Sequence, residues 1–438
     1  MVVRKTICLR QIGGDRAGEL RAGRFFANSK VTAGKIVDGW SLLTGPAVAD
    51  RHVLAIQDCS EIKYPTRAGR RRGLGLINNG HAHGILVHAM IAVDAESHAC
   101  LGLVGGAVWN RPGRVGKHHN DRPLPERESR RWLDTAERAK DVLAPAAMVT
   151  VVDDREGDIY PKWATVPAPA FHLLTRAMVD RALAGPDGAE GGTLFAAAAG
   201  FAVAGTRSIK IPARQPAQAA RTARLEIRFG AVEIRRPRHE KDRTLAETVR
   251  LRLVEVREPD PPEGVEPLHW RLLTTHEVDD VAKAWQIVGW YQARWTIEQL
   301  FRVMKSQGLG LEDSQLTTAD RLVRLAAVAT KAACIDMQLV QERDGLHGLP
   351  ASTVFASDEI DTIETLSPTL EGRTERQQNP HSVESLARAA WVIARPGGWN
   401  CYYKPPGPIT MRRGMERFHA MHEGRMLVVE TKRDVRLP

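Results

Sequence analysis

Tyr291, Arg294, Glu298 and Lys305 stand in one uninterrupted run, Tyr291-Gln292-Ala293-Arg294-Trp295-Thr296-Ile297-Glu298-Gln299-Leu300-Phe301-Arg302-Val303-Met304-Lys305. At ~100° per residue of an α-helix they fall at roughly 0°, 300°, 340° and 320°, inside a wedge of about 60°. Ile297, Leu300, Phe301 and Met304 form an i, i+3, i+4, i+7 apolar stripe beside that wedge. One side of the helix packs, and the adjacent side presents an acid flanked by two cations and a phenol. A solvated face laced by i,i+4 ion pairs accounts for the same spacing. Two acids upstream favour chemistry. Asp58 closes the strand-like run 52–58, and Asp153-Asp154 closes the β-branched run 148–152. Two strand-end acids and a helix-borne third can hold a pair of Mg²⁺ ions by oxygen ligation. Such a pair activates water and stabilises the leaving oxygen in phosphoryl transfer. The cations suit a substrate that brings its own phosphates.

The elements that must position these groups read as an α/β chain. Its 438 residues suffice for two or three structural units. With 43% hydrophobic and 26% charged residues it is not a mostly disordered chain. Strand-like runs at 52–58, 85–93 and 100–109 predict a β-rich start, the last two as an antiparallel pair. A charged helical segment, 126–142, leads to the run 148–152. From about 171 to 266 short alternating runs separated by Gly/Pro loops, such as Gly185-Pro186-Asp187-Gly188, read as a mainly β insertion. A strand, 268–274, returns to the core. One long helix is predicted from near Val278 past Met304, and the remainder reads mostly helical.

The net charge is +10, carried by 48 Arg and 14 Lys against 52 Asp and Glu. That is compatible with a polyanion partner and equally with an ordinary basic protein. No stretch approaches the ~18 uninterrupted apolar residues of a membrane span, and the first residues lack the apolar core of a secretory signal. The five cysteines (Cys8, Cys59, Cys100, Cys334, Cys401) include no CxxC pair, which argues against a zinc site or a disulfide framework and fits a reducing cytoplasm. His81, His83 and His88 lack a ligand spacing and read as hydrogen-bonded strand residues. A basic turn, 66–73, follows the first acid strand.

The spacing Tyr291-(2)-Arg294-(3)-Glu298-(6)-Lys305 resembles, at every step, the Y-(2)-R-(3)-E-(6)-K motif of the IS-four family, the Tn-five-like DDE transposases of bacterial insertion sequences. Other segments agree in order. Ala55-Ile56-Gln57-Asp58-Cys59-Ser60 is similar to the family's first-acid strand. Asp154-Arg155-Glu156-Gly157-Asp158-Ile159-Tyr160 resembles its second-acid segment, with Gly157 in place of the common alanine. Residues 267–274 resemble the strand before the motif helix, and Ile393-Ala394-Arg395-Pro396-Gly397-Gly398-Trp399 the family's terminal turn. The resemblance spans about residues 20–425.

The resemblance implies an RNase H-like α/β catalytic core with a β insertion and a helical C-terminal region. It implies Asp58, Asp154 and Glu298 as catalytic metal ligands, with two Mg²⁺ expected and Mn²⁺ as a substitute. Either Asp153 or Asp154 would serve by sequence alone; the resemblance selects Asp154, and leaves Glu156 and Asp158 as local ion-pair partners of Arg155. Tyr291, Arg294 and Lys305 would grip DNA phosphates, Trp270 would stack on an extruded base, and Arg176 and Arg302 would be further DNA contacts. The implied reaction is cut-and-paste transposition: end nicking, hairpin formation and resolution, and strand transfer. It needs no ATP, and the chain has no GxxxxGK[ST] loop. The implied partners are the terminal inverted repeats, target DNA and a second copy in a synaptic homodimer, with no membrane, in a cytoplasmic, nucleoid-associated setting. The expected division is 1–46 (a shortened N-terminal DNA-binding remnant), 47–170 and 267–335 (the two parts of the core), 171–266 (the β insertion) and 336–438 (helical dimerisation region). Fewer residues precede Asp58 than the family usually carries. The alternatives are therefore a shortened, non-catalytic inhibitor acting through mixed dimers, or a metal-dependent nuclease without strand transfer.

Overall fold

The apolar runs become the centre of one large sheet. The computed structural model describes residues 7–65, 67, 72–111, 128–185, 190–211, 220–307 and 309–434. Positions 66 and 68–71 of the basic turn, 126–127 of the charged segment and 186–188 of the Gly/Pro loop lie outside them. Four short helices come first, α1 (Leu9–Gly13), α2 (Arg16–Ala27), α3 (Ala33–Asp38) and α4 (Thr44–Ala47), with Asp15 and Thr32 capping α2 and α3. Strands β1 (His52–Tyr64), β2 (Leu76–Ile77), β3 (Ala82–Asp94) and β4 (Cys100–Trp109) lead to α5 (Arg130–Val142). Then follow β5 (Met148–Asp153), α6 (Tyr160–Thr165), β6 (Phe171–Arg176), β7 (Ala182–Ala184), β8 (Glu190–Thr193), α7 (Leu194–Gly200), β9 (Gly205–Ile211), β10 (Arg221–Arg235), β11 (Thr248–Arg257) and β12 (His269–Thr274).

Among the described residues the strand order is β2-β3-β1-β5-β6-β12-β11-β10-β7-β8, with β4 also on β3 and β9 also on β10. β1 runs parallel to β5, and β5 parallel to β6; β3 and β4 are antiparallel additions on the other side. This is a mixed α/β architecture, compatible with an RNase H-like transposase core. The β-rich segment does not form a detached sheet: β12 pairs with both β6 and β11 and carries the ladder onward.

Burial explains the two kinds of strand. Leu54 and Ile56 join one apolar cluster, Val53 and Ala55 the other, so the sheet is covered on both faces and its central strands read as continuous apolar runs. β10 instead alternates, with Ala223, Leu225 and Ile227 inward and Thr222 and Arg224 outward.

The C-terminal part comprises α8 (Val281–Ala293), α9 (Trp295–Arg302), α10 (Ala319–Glu342), α11 (Ser357–Leu370), α12 (Leu386–Ala394) and α13 (Pro408–Asp434). α10 lies close beneath β4 because alanines (Ala326, Ala329, Ala333) line it, and Trp40 locks α3 to it by donating to the Ala327 carbonyl at 2.9 Å. The single long helix predicted from near Val278 is corrected. Asp280 caps α8, so the helix starts at Val281. The Arg294 N–H bonds back to the Tyr291 carbonyl at 3.1 Å, tightening one turn, and residues 303–307 widen into a π-turn. The ideal wheel therefore breaks in phase on either side of α9.

At the end of the sheet away from Asp58, His52 Nε2 and His276 Nε2 both meet Thr150 Oγ1, at 2.8 and 2.7 Å, and His172 stacks on His276 at 3.9 Å. Burial, reinforced by His172, pushes His52 down to about 4 despite the pull of Asp94, and pushes His276 down to about 3. The folded state thus keeps these rings neutral where the unfolded chain, titrating near 6.5, binds protons. Their stabilising contribution is complete above that value and is lost as pH falls below it. At pH 5, His276→Gln should remove about 2 kcal/mol of the parent's pH-dependent loss. Urea midpoints at pH 7 and pH 5 test this, and an identical loss in parent and variant would refute it.

Candidate active site

Asp58 stands where β1 leaves the covered part of the sheet: residues 53–57 are buried and Asp58 is the first that is not. The last paired residues of β1 and β5 are Ile56 and Val152. Two steps beyond the end of this parallel ladder come Asp58 and Asp154; the expectation that Asp58 closes its strand is corrected, because β1 runs on to Tyr64, paired with β3. Asp154 begins the 3₁₀ turn Arg155–Gly157. The glycine where the resemblance has alanine is explained by that turn: a Cβ at Gly157 would lie 2.4 Å from Asp153 Cβ.

The motif helix closes over this end. Arg294, buried at the α8–α9 junction, donates through Nη1 to Asp58 Oδ2 at 2.8 Å and places Nη2 3.5 Å from Glu298 Oε1. The Tyr291 hydroxyl donates to Asp154 Oδ1 at 3.3 Å. Trp270, half-buried on β12, packs edge-on against Tyr291 with ring centroids 5.7 Å apart. Arg176 donates to the His269 carbonyl at 2.9 Å and hydrogen-bonds Tyr291. Asp58, Asp154, Glu298, Tyr291, Arg294, Trp270 and Arg176 therefore belong to one neighbourhood. Arg302 is exposed near the end of α9. Lys305 lies on the π-turn among Glu312, Lys63 and Glu61, further along β1 than Asp58.

Burial pushes the Asp58 carboxyl up to about 6, with Asp154 and Glu156 adding to the rise; Arg294 and the Cys59 N–H, which donates at 2.7 Å, only partly offset it. Arg294 Nε is buried without a hydrogen-bond partner. Among the described residues no three His, Cys, Asp or Glu side chains converge into a ready cage for a metal ion. Asp58 and Glu298 instead share the Arg294 guanidinium. The donor chemistry nevertheless fits a hard dication: the acids offer only oxygen, and two of them, Asp58 and Glu298, already face one shared cation.

Behind the acids runs a buried polar chain that sequence reading missed. Asp153, fully buried, accepts from Gln57 Nε2 at 2.7 Å and Thr175 Oγ1 at 2.9 Å, and pairs with Lys162, equally buried. Gln57 Oε1 meets His88 Nε2 at 3.0 Å, so that nitrogen carries the proton and Nδ1 accepts from the Cys59 thiol at 3.1 Å. The residues just before Asp58 and Asp154 are thus bonded to each other, and Asp153 is held in the core by its partners. His88 is a hydrogen-bonded strand residue, as expected. The expected pairing of Asp158 with Arg155 is corrected, because Asp158 binds Arg181 at 2.7 Å and the backbone N–H groups of Met178 and Val179. The one signal for this chain in the sequence is Gln57, a polar residue inside an apolar run.

Residues 202–335 match the transposase DDE domain family. The match supports a DDE transposase, an enzyme that cuts DNA and transfers strands. It contains Trp270, Tyr291, Arg294, Glu298, Arg302 and Lys305, while Asp58, Asp154 and Arg176 lie before it. DNA as substrate and divalent metal use follow for a domain of this kind. Among the described residues no helix is long and apolar enough to cross a membrane.

Proposed function

We propose that the chain is a cut-and-paste transposase of the IS-four, Tn-five-like type, built on an RNase H-like core. The observation that carries this is the meeting of Asp58 and Asp154, just past the parallel ladder of β1 and β5, with the Tyr291-Arg294-Glu298 segment inside the matched residues. Asp58, Asp154 and Glu298 are the metal ligands in this reading. Mg²⁺, two ions with Mn²⁺ as substitute, supplies Lewis acidity and an activated water or 3′-hydroxyl nucleophile when bound.

The chain's own groups do the rest. Arg294 fixes Asp58 and Glu298 relative to each other, and its unpartnered Nε is a donor for a phosphate oxygen. Tyr291 orients Asp154. Tyr291, Arg294 and Lys305 grip phosphates near the scissile bond, with Arg176 and Arg302 as flanking contacts. Trp270 offers a face to an extruded base, which recovers ~1–3 kcal/mol of the extrusion cost by stacking. The substrates are the terminal inverted repeats and target DNA, handled by a homodimer through the region 336–438, in the cytoplasm on the nucleoid. Residues 1–46, 47–170 with 267–335, and 171–266 serve as DNA-binding part, core and insertion.

The test is cleavage of a duplex carrying the element's own end sequence. The expected result is a Mg²⁺-dependent nick, then a hairpin, then joined products. A protein that binds the end but cleaves with neither Mg²⁺ nor Mn²⁺ is the inhibitor acting through mixed dimers instead, and one that cleaves without joining is a nuclease.

A further inference from the structure

A cleft of about 1540 Å³ opens next to the acids. One wall is the 3₁₀ turn after Asp154 with α6; the other is the turn joining β10 to β11. Eight Arg or Lys side chains line it against five Asp or Glu. The acids are largely occupied: Asp158 holds Arg181, Asp180 accepts from the Phe195 N–H at 2.8 Å, Asp242 accepts from the Thr244 N–H at 2.9 Å and hydroxyl at 2.6 Å, and Glu240 accepts from the Asp242 N–H at 3.0 Å. Glu156, the fifth, lies with Arg155 in the 3₁₀ turn that Asp154 begins, and both line the cleft, so it starts beside the candidate active site.

The cations are less committed. Arg130 pairs with Asp134, and Arg236 serves the carbonyl of Arg243 at 3.2 Å. Arg155, Arg235, Lys241 and Arg243 have no carboxylate within ion-pair distance among the described residues. Lys241 and Arg243 are exposed on the turn. Unpartnered cations on both walls of an open cleft match a ligand with one negative charge per repeat.

We propose that this cleft holds the phosphodiester backbone of a DNA segment continuing from the scissile phosphate, with Arg155, Arg235, Lys241 and Arg243 neutralising its phosphates. The proposal rests on the DNA-cutting reading above. The contact is to backbone only, so it adds affinity without sequence preference.

The test is a salt titration of binding to a fluorescent duplex of about 30 base pairs, read by anisotropy with the full chain. Each phosphate contact contributes about 0.9 to the slope of log K against log salt. Arg235→Ala/Lys241→Ala/Arg243→Ala should therefore make the slope shallower by about 2–3, equally on element-end and unrelated duplexes. Lys241→Glu alone, expected to lower it by about 1, covers failure of the triple variant to fold. A parent that cleaves element ends while the variants keep the parent's slope overturns the cleft proposal alone. A parent that binds no duplex overturns both the cleft and the reading beneath it.

Discussion

Glu298→Ala should slow metal-dependent nicking of an element end by at least about a thousandfold, equivalent to about 4 kcal/mol of transition-state stabilisation, while DNA binding and folding persist. The separation is expected because Glu298 lies at the rim of the site. Its side chain is 35% exposed and its ion pair with Arg294 is long, at 3.5 Å, a geometry of small net worth in water. Arg294 keeps its shorter bond to Asp58. Single-turnover nicking, anisotropy with a labelled duplex and far-UV circular dichroism read the three properties independently. Nicking within tenfold of the parent would remove Glu298 from the ligand set. A collapse of folding alongside activity would show that the carboxylate anchors the α8–α9 junction rather than serving chemistry.

Lys162→Met should be the most destabilising single change near the site, costing about 3–5 kcal/mol. Lys162 and Asp153 are both fully buried, and burial alone pushes the lysine well below its ordinary range. Removing the ammonium leaves a carboxylate in the core with only Gln57 and Thr175 as donors. Replacing both partners, as Asp153→Leu/Lys162→Met, removes the uncompensated charge and should recover most of the loss in stability. It should not recover nicking. Asp153 precedes Asp154 and holds Gln57, which precedes Asp58, so the double variant removes this tie between the two strands. Removing such outer support around metal ligands typically costs 10–100-fold. Urea denaturation and Mg²⁺-dependence of nicking measure the two effects. A loss below about 1 kcal/mol in the single variant would show that the pair is not electrostatically coupled.

Much of the site was legible because its signal is local. Tyr291, Arg294 and Glu298 lie within two turns of chain, so helical periodicity alone puts them on one face, and α8 and α9 keep them there. Asp58 and Asp154 each follow an apolar run, and the parallel pairing of β1 with β5 brings them side by side, although β1 itself runs on past Asp58 to Tyr64. What lay beyond reading depends on contacts between segments distant in the chain. Strand alternation turns one of two adjacent acids inward, and only the burial of Lys162 beneath the sheet decides that it is Asp153. Asp158 finds Arg181 across 23 residues in preference to adjacent Arg155. Lys305 leaves the common wedge because the helix tightens at Arg294 and widens after Arg302.

The sequence by itself determined the chemistry on offer: three acids, a phenol and cations at spacings that secondary structure makes adjacent. The tertiary structure decided their pairing. It set Arg294 against Asp58, 236 residues away, and joined Gln57 to Asp153 behind the acids. Spacing fixes direction along one element, whereas which charges meet is set by how elements pack, because a buried charge must find its partner wherever the fold brings one.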